Sequence, residues 1–161
     1  ICFARGTFNA HPHVMGAMSV FLEKIESPQI AEIYQNVDLV WNQRREMFNQ
    51  VMVDKKLPLR AANMSSVWSL YYTEPSRYNW MLQYYLRSEG LALSWVGTGR
   101  LIFSLNYSDD EFAEVLKRFV NACERMTADQ WFWAPPELTN QKIKRGIFKE
   151  MFFSKNQFSS N

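Results

Sequence analysis

The chain has 161 residues, 47% of them hydrophobic and 21% charged, with a formal net charge of +2; this is the composition of a folded domain with a real core, not of a disordered segment. The small net charge, with no dense Lys/Arg block in the first two-thirds, excludes the electrostatic footprint of a nucleic-acid binder. No apolar run reaches the roughly 18 residues of a spanning helix, the opening residues show no signal-peptide pattern, and Cys2 and Cys123 lie far apart without metal-ligand spacing, so the expectation is a cytoplasmic protein with reduced thiols and with no nucleic-acid or membrane partner.

From Pro12, Val14, Ala17, Met18, Phe21, Leu22 and Ile25 recur at three- and four-residue spacing, which predicts a helix with one apolar face and proline in its first turn. Ser27 and Pro28 read as the cap and first residue of a long second helix. Its apolar stripe runs through Ile30, Ile33, Tyr34, Val37, Val40, Trp41, Met47, Phe48 and Val51, leaving Glu32, Asp38, Arg45 and Glu46 to water. Past Lys55 and Lys56 the pattern changes: Leu57 to Asn63 and Ser66 to Thr73 are short, rich in aliphatic and aromatic residues, and read as two adjacent strands.

Helical spacing returns with Tyr78, Met81, Leu82, Tyr85 and Leu86 and stops before Gly90, a C-cap candidate. "LALSWV" and "RLIFSL" then flank "GTG", a two-strand pattern around a glycine turn. Ser108 and Glu111 form a capping box ahead of Phe112, Val115, Leu116, Phe119, Val120 and Cys123. The order of elements predicts an α+β fold, an antiparallel-rich sheet with helices on one face.

After Met126 the character shifts to an aromatic and basic extension. Ile143, Ile147 and Met151 mark a short helix surrounded by Lys142, Lys144, Arg145 and Lys149. The expectation is that this segment packs on a neighbouring domain or subunit through Trp131, Trp133 and Phe148. A basic membrane-surface helix is the alternative, disfavoured because the segment looks short and its tail is polar.

Few residues carry chemistry by their type alone. His11 and His13 are too close for an i, i+4 metal pair, and no Cys, Asp or Glu nearby completes a ligand set. Gly97 to Gly99 lack the longer glycine pattern of a phosphate loop. Asp109, Asp110 and Glu111 resemble paired carboxylates, but in the first turn of a helix they complement its dipole. "RGTFNAHP" stands apart, because Gly6 and Thr7 directly before a proline-initiated helix place backbone N–H groups and a hydroxyl where a phosphate could be held.

"GTFNAHPHVMGAMSVFLEKI" resembles the GT(F/Y)xxxP segment and small-residue helix of class III pyridoxal-phosphate (PLP) aminotransferases, particularly the glutamate-1-semialdehyde aminomutase branch. "SSVWSLYYTEP", "YYLRSEGLALSW" and "IFSLNYSDDEFAEVLKRF" are similar, in order and spacing, to the small C-terminal domain of that branch. The resemblance covers Arg5 to about Met126. It implies a division into a linker and first helix (1–26), the small α+β domain of a fold-type I enzyme (27–126) and an extension (127–161). It also implies a homodimer that uses PLP to move an amino group from a small-molecule donor to an aldehyde or ketone.

By position in that family, Thr7 with the Phe8 backbone would contact the cofactor phosphate, and Arg100 matches an arginine that many members use to hold a substrate carboxylate, a task suited to a planar guanidinium. The aminomutase branch carries a PxxxE-like segment where this chain has Trp95 to Arg100, so an outward-facing strand residue stays open as the reading of Arg100. Asn9, Ala10 and His11 also depart from the Ser-Gly-Asn type of run common in relatives. The Schiff-base lysine of the family lies in the large domain upstream, so the resemblance assigns no lysine here that role and implies a piece inactive alone. The competing class is a stand-alone α+β module that binds a small ligand or regulates, since fold does not fix function.

Overall fold

A computed structural model of the chain describes residues 11–92, 100–132 and 134–158. Its elements are α1 (Pro12–Ile25), α2 (Pro28–Asp54), β1 (Leu59–Met64), β2 (Val67–Tyr72), a 3-10 turn (Asn79–Met81), α3 (Leu82–Ser88), β3 (Arg100–Ile102), α4 (Asp109–Ala128) and α5 (Asn140–Phe158). The strands form an antiparallel sheet in the order β1-β2-β3, with Ala61 opposite Leu70 and Trp68 opposite Leu101.

Strand alternation divides the sheet into two faces. Leu59, Ala61 and Trp68 are buried on the inner face, where they meet Trp41, Phe48 and Met52 of α2 and Phe112, Phe119 and Met126 of α4. Trp68 stands at the centre, edge-on to Trp41, Phe48 and Phe112 at ring distances of 6.1, 5.7 and 5.7 Å, the geometry that aromatic quadrupoles favour. This is the α+β arrangement that the order of elements predicts.

Three helices close in the same way. After α2, α3 and α4 a residue with positive φ (Lys56, Gly90, Gln130) turns the chain, and the N–H of the next residue reaches back to the last turn: Leu57 to Met52, Leu86 from Leu91, and Met126 from Trp131, at 2.8, 2.9 and 3.1 Å. Each of those following residues is apolar and packs on the core, as this closing motif favours. At Gly90, where φ is +83°, a Cβ would also stand 2.6 Å from the tip of the Arg118 side chain, which would have to shift.

Among the described residues β1 is an edge strand, and α2 reaches its free edge at Ala61. Asn49 accepts from the Ala61 N–H at 2.8 Å and donates to the Ala61 carbonyl at 2.9 Å, so the edge keeps both bonds without a fourth strand.

Several expectations change. The apolar face read in α1 contains no buried residue, and Tyr34 and Met47, placed on the α2 stripe, are exposed; Trp41 and Phe48 of that stripe are buried, joined by Arg44 and Met52, which the stripe left out. β3 is three residues long and stops before Phe103; its last pair with β2 is Ile102 opposite Val67, and the Phe103 N–H still donates to the Ser66 carbonyl at 3.1 Å. Most of "LALSWV", all of "GTG", and Trp133 lie outside the described residues. The last helix, expected to be short, has 19 residues. Ahead of it, Trp131 meets Tyr78 at 5.1 Å and Phe132 meets Tyr72 at 6.3 Å.

Candidate functional site

Arg100 opens β3 opposite Ser69 and is exposed. The pairing puts it on the outer face of the sheet, away from the helices, with Ser69 and Ala62 as its cross-strand neighbours. Small residues there leave room for a long side chain to lie across the sheet. Among the described residues Arg100 has no hydrogen bond or ion pair. The other sheet arginine, Arg60, is occupied with the carbonyls of Leu57 and Leu59 at 2.8 and 2.6 Å. A guanidinium can take a carboxylate in two parallel bonds, and no described residue occupies that of Arg100.

A second arginine is fully engaged. Arg44 is buried on α2, and its Nη2 donates to the Tyr107 carbonyl and to Asp109 Oδ1, both at 2.8 Å. Its guanidinium carbon lies 4.7 Å from the Trp41 ring and 5.4 Å from that of Phe112, within cation–π range of two rings that meet edge to face. Arg44 thereby holds the segment from β3 to the N-terminus of α4, which the sequence reading missed; Asp109 and an arginine in the same chain were visible, but their proximity was not. Next to this anchor, Glu32, Asn36, Trp41 and Tyr107 line a groove of about 330 Å³.

The remaining candidates resolve into structure. Ser108 and Glu111 form both bonds of the capping box, at 3.2 and 2.8 Å, and that contact with the Ser108 backbone holds the Glu111 carboxyl below its usual range. His11 stands at the N-cap position of α1, and its ring lies 5.6 Å from that of His13. No metal-binding group of His, Cys, Asp or Glu occurs among the described residues. Burial pushes the Cys123 thiol up to about 12 and raises Tyr72 as well, so neither is a reactive group near neutral pH. Tyr85 is raised by its hydrogen bond to Asp129. Thr7, Phe8 and the Gly6 backbone lie outside the described residues.

No family model matches the chain, and no curated protein matches it. Among solved structures, a "Transaminase with PLP bound" is similar to it with a TM-score of 0.61 and 18% identity over 80% of this chain. The fold is shared with part of a transaminase. The similar region spans 30% of that protein's length. At this identity the architecture is the common property, an antiparallel sheet backed by helices. No helix among the described residues is long and apolar enough to cross a membrane.

Proposed function

We propose that this chain is the C-terminal, small-domain part of a PLP-dependent aminotransferase of class III, close to the glutamate-1-semialdehyde aminomutase branch. The observation that carries this reading is the coincidence of two independent likenesses: the GTFNAHP segment and its three followers in the sequence, and the transaminase-like fold of the body they belong to.

The described residues do not by themselves form a PLP site. Every lysine whose surroundings are described is exposed, and Lys55 and Lys117 are engaged with Glu124 and Glu114, whereas a Schiff-base lysine needs an enclosed, partly desolvated amine. The reading therefore assigns the lysine to an upstream large domain and gives Thr7 and the Phe8 backbone the cofactor phosphate. PLP, when bound, would supply the electron sink for amino transfer. Arg100 would hold and orient the substrate carboxylate, in the manner that positions a reacting amine.

The partners in this reading are an amino donor, a carbonyl acceptor, the large domain and a second subunit. The apolar residues that α1 exposes, among them Val14, Met18, Phe21 and Leu22, support it, because the apolar face of an amphipathic helix packs against another part of a protein.

The test uses the complete protein with its upstream domain. Added PLP should give an absorption band that borohydride fixes, and Thr7→Ala should weaken cofactor binding. Arg100→Gln should raise KM for a carboxylate-bearing donor while leaving a carboxylate-free amine unchanged. A complete protein that takes up no PLP, or that binds a small ligand without amino transfer, would favour the binding-module reading instead.

A further inference from the structure

α5 runs 19 residues, about 28 Å at the helical rise, and turns only a narrow stripe toward the body. Half-buried Ile143 lies on that stripe, as does Glu150, which Arg77 clasps with both terminal guanidinium nitrogens; Ile147 beside them is partly exposed. The other faces carry Phe148, Met151, Phe152 and Phe153, exposed by 61 to 71%, together with Lys142, Lys144, Arg145 and Lys149, all exposed. Glu150 is the helix's one acidic residue, and Arg77 already neutralises it. The outward surface is thus phenylalanine and uncompensated cation.

That combination separates two kinds of partner. Lysine is depleted from the cores of protein interfaces, whereas Lys/Arg beside exposed Phe is the composition of helices that lie in the plane of a membrane surface. The shortness that argued against this reading in the sequence disappears with a 19-residue helix. We propose that α5 is a membrane-surface helix that docks the protein on an anionic lipid bilayer, with Phe148 and Phe152 entering the acyl boundary and Lys144, Arg145 and Lys149 meeting the lipid phosphates.

The experiment is sedimentation of the purified protein with vesicles of phosphatidylcholine alone or mixed with phosphatidylglycerol. The expected result is binding to the anionic vesicles only, weakening as salt rises. The variant K144Q/R145Q/K149Q should reduce partition on the order of a hundredfold, given the attraction of each basic residue to an anionic surface. Phe148→Ser with Phe152→Ser should abolish it; both sites are exposed, so the urea midpoint should stay in place. The proposal is overturned if the protein ignores anionic vesicles at low salt, or if binding is indifferent to these variants. It is equally overturned if the phenylalanine variant breaks a concentration-dependent oligomer of a protein that does not bind vesicles, which would make α5 a protein interface.

Discussion

Arg44→Ala should be among the most damaging single changes in this chain, and its cost can be worked from the geometry. The charged donor lost from the Tyr107 carbonyl contributes about 1.5–3 kcal/mol. Removing the guanidinium from its contacts with the Trp41 and Phe112 rings costs about 0.5–1 kcal/mol more. The ion pair adds little: the Asp109 side chain is 93% exposed, and exposed partners contribute about 0–1 kcal/mol. Arg44 Nε is buried without a partner, so the substitution also relieves one unfavourable group, and the net loss is about 3 kcal/mol. Arg44→Met keeps the stem in the aromatic slot and should cost about 2 kcal/mol. Urea unfolding would read these as midpoint shifts at constant slope, and a double-mutant cycle with Asp109→Ala should give a coupling below about 1 kcal/mol. A coupling above about 2 kcal/mol, or an Arg44→Ala cost under about 1 kcal/mol, would refute the assignment of the stabilisation to the carbonyl bond and the aromatic stack.

Asn49→Ala removes both bonds to the Ala61 backbone and should cost about 2 kcal/mol in urea unfolding, with faster amide exchange at Ala61 as the local readout. On the acid side, partners in the folded chain depress Glu89, Glu111, Glu114 and Glu150, Glu89 chiefly through Arg125 and Glu150 through Arg77. Their contribution is therefore complete above the ordinary value of 4.5 and is lost as pH falls below it; thermal melts between neutral and acid pH should show a plateau and then a decline, and a decline that begins near neutrality would contradict it. On the alkaline side, burial raises Cys123 from 9.0 to about 12, so its contribution is present below 9 and declines as pH rises toward 12. Cys123→Ala should flatten that alkaline decline, and an unchanged slope would show that the thiol has no part in it.

Some of this molecule is legible in short windows. The Ser108/Glu111 capping box, the Pro12 and Pro28 helix starts, the period-two strands on either side of Ser65, and the Gly90 stop all depend on residues within a few positions of one another, and the chain's own sterics and hydrogen bonds enforce them. The closings at Lys56 and Gln130 were not legible, because neither residue type announces a positive φ; Leu57 and Trp131 packing on the core hold them there.

The sequence by itself determined the types of most described elements and the α+β class. Tertiary structure alone decided which faces those elements use. Arg44 finds partners 63 and 65 residues away, Arg100 points outward because Ser69 sits opposite it, and the apolar face of α1 finds nothing among the described residues to bury it. Periodicity specifies that a face exists. What covers that face depends on contacts between distant segments, and these are set when the whole chain packs so as to remove the most apolar surface from water while leaving few polar groups unpaired.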